Sequence, residues 1–238
     1  MLLTRPCRLL AALAAVPPRL LRVPEQRRVA SVVASIPGRT IAVNCDSQQD
    51  TLALGAALAD AARAGDVVLL RGDYGAGKTC LARGFLRHWF DDPDELVTSP
   101  SYLIDNVYPD DDKRALQPGV TVHHMDLWRL PAGKASQLID LERVFAECVS
   151  LIEWPDRLGD AMPAEHLAVY LAIDSSDSDD DGDGGSSSGV EGTMEDFEDE
   201  EEDLEQPRVA TITATGARWE AALGSDEFLA SLRSGPAA

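Results

Sequence analysis

The stretch "DVVLLRGDYGAGKTCLARGFLRHWF", residues 66–90, decides the fold. It opens with an unbroken apolar run, Val67 to Leu70, the mark of a strand covered on both faces. It closes on "KTCLARGFLRHWF", which reads as a helix ending near Asp91. Between them Gly72, Gly77, Lys78 and Thr79 stand in the spacing G-x-x-x-x-G-K-[ST]. Strand, Gly-rich turn and helix in that order are the context in which this spacing forms a phosphate-binding loop. The backbone N–H groups of Gly75, Ala76, Gly77, Lys78 and Thr79 are expected to curl around a β-phosphate, with the helix dipole adding positive potential. Lys78 is placed to bridge β- and γ-phosphates, and the Thr79 hydroxyl to ligate Mg²⁺.

Working outward, "RTIAVNC" (39–45) alternates and reads as a strand, so folding is expected to begin near Arg39. Asp46 or Ser47 offers a helix cap, and Leu52, Leu54, Ala57, Leu58 and Ala62 then recur at helical spacing until Gly65. Downstream, "SYLIDNVY", "GVTVHHMD" and "CVSLIEW" predict strands, with a helix at about 135–147 between the last two. "HLAVYLAI" and "RVATITAT" predict adjacent strands separated by the segment 174–205. The architecture expected is a single α/β domain over 39–173 and 206–234, P-loop NTPase-like, with a mostly parallel central sheet flanked by helices.

The 238 residues carry a net charge of −20, very unevenly placed. Residues 174–205 hold 16 Asp and Glu and no Lys or Arg, too polar to repay their ordering entropy, so a disordered acidic insert is expected there. Residues 1–45 hold seven Arg and one Glu. The rest is mildly acidic, which argues against direct contact with nucleic-acid backbone. Residues 1–38, rich in Arg, Ala and Leu, read as an organellar transit peptide, mitochondrial or plastid. A secretory signal built on "LLAALAAV" is the rival, and a cytoplasmic protein the alternative. No apolar run is long enough to span a bilayer, so no membrane partner is expected. Cys7, Cys45, Cys80 and Cys148 are widely spaced, which predicts thiols rather than a disulfide or zinc framework.

Magnesium at such a loop takes a second protein ligand, usually a carboxylate at the end of a neighbouring strand. "VTVHHMD" ends in Asp126 and "VSLIE" in Glu153, and pattern alone does not separate them. His123 and His124 read as strand residues.

In chain order stand "GDYGAGKT", "TSPSYLIDNVY", "HHMDLWRL" and "LIEWPDRL". This series, from about Val43 to Leu158 plus the closing strand, resembles the TsaE (YjeE) family. Its bacterial members are ATPases required for threonylcarbamoylation of the adenosine beside certain tRNA anticodons. The resemblance implies ATP and Mg²⁺ as cofactors, with Thr79 and Glu153 holding the metal. It implies Lys78 and Asp126 as catalytic residues, Asp126 orienting or deprotonating the attacking water. Ser99 and Ser101 would form a switch-like loop. Ser47, Trp154 and Asp156 would lie near the base, and Gly75, Ala76, Gly77, Lys78, Thr79 and Cys80 would hold the phosphates. Partners similar to TsaB and TsaD are implied, with tRNA reached only through them.

Cys80 replaces a usual Thr or Ser, Ser101 a usual Thr, and "GKASQLIDLERVF" lacks the family's Glu-Glu pair and following Leu-Gly. Against this ATPase stand a small-molecule kinase, whose Arg-bearing lid would fall at "DRLGDAMPAEH", and a nucleotide-gated module recruiting a basic partner through the acidic segment. Trp154 also reads as a packing residue, and Arg129 as the partner of a nearby acid.

Overall fold

The computed structural model describes residues 32–36, 40–110, 114–174 and 206–234. In chain order these form β1 (Val32–Ile36), β2 (Thr40–Cys45), α1 (Gln48–Ala61), β3 (Val67–Arg71), α2 (Lys78–Trp89), β4 (Asp105–Tyr108) and β5 (Val122–Asp126). They continue with α3 (Leu141–Glu147), β6 (Val149–Glu153), β7 (His166–Ile173), β8 (Arg208–Thr215), α4 (Ala217–Leu223) and α5 (Asp226–Ser234).

The strands share one sheet in the order β1-β2-β8-β7-β3-β6-β5-β4. Its centre, β7-β3-β6-β5, is parallel. The flanks are antiparallel: β4 on β5, and β8, β2 and β1 in succession beyond β7. Each of Val67 to Leu70 is at most 1% exposed. Val68 and Leu70 pack with Leu54, Phe85, Trp89 and Trp219 on one face. Val67 and Leu69 pack with Met125, Leu141, Ile152 and Leu158 on the other. The unbroken apolar run therefore marks a strand sealed from both sides, the condition for a parallel centre.

The chain differs from its sequence reading at four places. A strand, β1, precedes the expected start at Arg39 and pairs with β2. The expected leader 1–38 overlaps it, while residues 1–31 lie outside the described ones, as do 175–205 of the acidic segment. The strand expected at 101–108 begins only at Asp105, because Leu103 and Ile104 N–H groups turn back onto the Pro100 carbonyl and Ile104 takes φ +70°. The helix expected at about 135–147 splits into a 3-10 turn, Ala135–Gln137, and α3, which Asp140 caps by accepting from Arg143 N–H. The closing helices α4 and α5 were not expected from the pattern. By contrast β7 and β8 keep their expected bounds and pair from His166↔Thr215 to Ile173↔Arg208. Among the described residues no helix is long and apolar enough to cross a membrane, and Cys45, Cys80 and Cys148 form no disulfide.

Arg218 of α4 donates to Asp66 Oδ2 at 2.8 Å and to the Ala61 carbonyl, tying the C-terminal helices to the start of β3. Burial pushes the Asp66 carboxyl up, an effect that the Arg218 charge opposes.

α1 and α2 meet backbone to backbone. A Cβ at Gly84 would sit 2.1 Å from the Leu52 carbonyl oxygen, and one at Gly55 2.2 Å from that of Leu81. Neither neighbour is a side chain that could turn aside, so α2 is seated at one distance from α1. Gly84→Ala is expected to destabilise the domain by about 1–3 kcal/mol through overpacking. Thermal unfolding followed by circular dichroism checks this, and an unchanged Tm would show that the helices can separate freely.

Candidate functional site

The phosphate loop begins where β3 ends, and its helix starts at Lys78 after Gly77, whose φ of +96° favours glycine. A Cβ there would also lie 3.8 Å from Thr51 Cγ2 of α1. The loop thus opens at the C-terminal edge of the parallel strands, where ligands bind in open α/β sheets.

Register brings the acids to the same edge. Leu70 of β3 is level with Glu153 of β6, and Glu153 is level with Asp126 of β5. Both carboxylates are 3% exposed, and each is met by donors, as buried charge requires. Glu153 Oε1 accepts from Thr79 Oγ1 at 2.8 Å and from His124 Nε2 at 2.9 Å. Asp126 Oδ2 accepts from Ser101 Oγ at 2.5 Å and Ser99 Oγ at 3.1 Å, while Oδ1 accepts from Trp128 N–H at 2.9 Å. The S-P-S segment is therefore clasped to Asp126. Lys78, 5% exposed, donates from Nζ to the carbonyls of Gly72 at 3.0 Å and Asp73 at 2.7 Å. Its ammonium also lies 4.1 Å from the Trp154 ring centroid.

Trp154 takes a left-handed φ of +57°, uncommon without a glycine. Its ring packs on Trp128, centroids 4.3 Å apart. Together with Ala132, Asp156 and Arg157 they line a cavity of 270 Å³. Exposed Asp156 pairs with Arg71 at the end of β3, 2.7 Å away. Arg129 lies over the Tyr102 ring, 4.5 Å from its centroid.

Lys78, Thr79, Asp126, Glu153 and Trp154 thus converge, and Asp156 stands on the rim. Ser47 caps α1, accepting from Asp50 N–H at 3.2 Å and donating to the Asp50 carboxylate at 2.8 Å. It meets the loop only indirectly, through its helix. Cys80, 3% exposed, turns its thiol to the Gln48 carbonyl at 3.8 Å. Its side chain thus links α2 to α1.

Thr79 and Glu153 offer two oxygens side by side, the donor chemistry of a hard cation. No cluster of three or more His, Cys, Asp or Glu able to cage a metal occurs among the described residues. A two-oxygen set fits Mg²⁺, which keeps waters and phosphate oxygens as its remaining ligands. It does not fit a zinc or calcium cage.

Sequence reasoning read His124 as a strand residue, which it is, without its contact to Glu153, and passed over Arg208. His124 is fully buried and holds the glutamate. Arg208 donates to the carbonyls of Ala76 and Gly75. The signal for Arg208 lay in the alternation of "RVATITAT", which puts it in phase with inward-facing Ala210, Ile212 and Ala214.

A sealed parallel sheet whose strand ends carry a G-x-x-x-x-G-K-T loop and two level carboxylates defines a P-loop NTPase-like domain. A family model described as "Threonylcarbamoyl adenosine biosynthesis protein TsaE" matches residues 45–181, and the chain belongs to the TsaE family. A relative from Mycobacterium leprae named tRNA threonylcarbamoyladenosine biosynthesis protein TsaE is 37% identical over 139 residues, 56% of this chain and 83% of its own length. One of the same name from Bacillus subtilis is 31% identical over 125 residues, 52% of this chain and 72% of its own. A crystal structure of Bacillus subtilis YdiB superposes with a TM-score of 0.53 at 23% identity, over 77% of this chain and 90% of that one, a likeness of fold.

Since His124 orients Glu153 through Nε2, His124→Ala is expected to raise the Mg²⁺ requirement for nucleotide binding about 10–100-fold. Titrating Mg²⁺ at fixed nucleotide checks it; an unchanged midpoint would reduce His124 to a packing residue.

Proposed function

We propose that this chain is a Mg²⁺-dependent ATPase serving the machinery that adds threonylcarbamoyl to tRNA adenosine. The observation that carries the reading is the 2.8 Å contact between Thr79 Oγ1 and Glu153 Oε1 inside a G-x-x-x-x-G-K-T loop. The family's description and the relatives' names support the tRNA-modification setting.

In this reading Thr79 and Glu153 hold Mg²⁺, which when bound offsets charge on the β- and γ-phosphate oxygens. Lys78 adds a second positive charge, exchanging the carbonyls of Gly72 and Asp73 for phosphate. Backbone N–H groups of Gly75 to Thr79, with that of Cys80, hold the phosphates. Asp126 orients a water and accepts its proton. Ser99 and Ser101 occupy Asp126 Oδ2, so a water gains that oxygen when the segment moves aside, which ties hydrolysis to the position of the S-P-S loop. Trp154, with Asp156 on the rim, flanks the base, and Ser47 approaches from α1.

The chain does not transfer the threonylcarbamoyl group itself. Its hydrolysis resets a synthase built from TsaD-like and TsaB-like partners, which contact the tRNA. Water rather than a second small molecule is the acceptor. Where a kinase lid would fall, the chain makes short 3-10 turns over Pro155–Ala161, kinked at Gly159, with Leu158 fully buried. In this reading the Arg-rich residues ahead of β1 direct the chain to an organelle.

Lys78→Ala is expected to lower ATP binding or turnover by at least roughly tenfold. Equal rates for variant and parent would overturn the assignment. Glu153→Ala is expected to shift the Mg²⁺ dependence of nucleotide binding, and Asp126→Ala to slow hydrolysis with binding retained. Paired Mg²⁺ titrations with single-turnover rates separate the two, and the reverse outcome would exchange their roles. Co-purification with a tRNA-modifying synthase tests the setting.

A further inference from the structure

Arg208 lies against the outer side of the phosphate loop. It begins β8, two strands from β3 in the sheet, is 2% exposed, and reaches past the end of β7. Its Nε donates to the Ala76 carbonyl at 3.2 Å, Nη2 to that of Gly75 at 3.3 Å and Nη1 to that of Gln206 at 2.5 Å. A Cβ on Gly77 would rest 3.5 Å from Nε, so the guanidinium runs alongside the turn itself.

A loop that cradles an anion turns its N–H groups inward, which turns carbonyls outward. Carbonyls turned into the protein beneath the loop need donors of their own. Each carbonyl held by Arg208 shares a rigid peptide plane with the next residue's N–H. Fixing Gly75 O therefore orients Ala76 N–H, which closes the loop's own turn onto the Asp73 carbonyl at 3.3 Å. Fixing Ala76 O orients Gly77 N–H, at the mouth of α2. The planar guanidinium spans both carbonyls at once, which a lysine ammonium cannot do with the same geometry. Its charge also polarises both peptide units, strengthening their N–H groups as donors.

We propose that Arg208 is a positioning residue that pre-forms the loop for the phosphates of a nucleotide, an inference that rests on the nucleotide-binding reading above. It acts through backbone on binding and takes no part in the chemistry at Asp126.

The test measures ADP affinity and steady-state ATP hydrolysis for the full chain, Arg208→Gln, Arg208→Lys and, as a half-buried arginine control away from the loop, Arg218→Lys. Arg208→Gln is expected to weaken ADP binding and raise KM for ATP about tenfold or more, as loss of charged hydrogen bonds does, with kcat within about twofold of the parent. Arg208→Lys is expected to recover part of the loss. Arg218→Lys is expected to lower Tm and leave ADP affinity unchanged. Should Arg208→Gln not fold, Arg208→Lys decides: parental ADP affinity overturns the proposal, and a raised KM supports it. A fall confined to kcat also overturns it. A parent chain that does not bind ADP overturns the nucleotide reading itself, and this proposal with it; a binding parent with unaltered Arg208 variants overturns this proposal alone.

Discussion

The hydrogen bond from Thr79 to Glu153 joins residues 74 positions apart in the chain, and it exists because two parallel strands are in one particular register. β3 and β6 align Leu70 with Glu153, so the loop leaving β3 and the acid ending β6 emerge at the same height. One residue of slip would turn the glutamate to the other face of the sheet. What prevents the slip is the burial of both strands. Every side chain of Val149–Glu153 is buried, and those of Val67 to Leu70 are no more exposed than 1%. The apolar runs that secure the fold are thus also what aligns the polar ends.

That arrangement carries an electrostatic cost. Two carboxylates at 3% exposure and an ammonium at 5% sit at the edge of the core, where ions without partners are strongly disfavoured. The structure answers with a shared network. Thr79 and His124 meet Glu153, Ser99, Ser101 and Trp128 meet Asp126, and Gly72 and Asp73 meet Lys78. Among these partners His124 is wholly enclosed, so the glutamate is held from within the core as well as from the loop.

Much of this was legible because it is local. The apolar run, the glycine spacing, the Ser47 cap and the bounds of β7 and β8 depend on neighbours in sequence. The tie between Asp126 and Glu153 was not local: pattern found two acids at two strand tips, and only pairing register shows them side by side. The split of the 135–147 segment turned on Asp140 bonding to its own backbone, which competes with helix continuation. β1 escaped notice because it lies within an Arg-rich stretch that composition assigns to targeting. Arg208 was hidden because arginine is mostly a surface residue, although its phase in the strand placed it inside.

The antiparallel flank brings Arg208 to the end of a closed ladder. β7 and β8 pair along their full length up to Ile173↔Arg208, and Asp174 N–H still meets the Pro207 carbonyl at 2.8 Å. The ladder thus closes at Asp174 and Pro207, through backbone pairing of the two strands themselves. Arg208 stands at the closure and bonds at once to Gln206 and to the loop carbonyls. The end of the ladder is therefore where the pairing of β7 with β8 meets the phosphate loop.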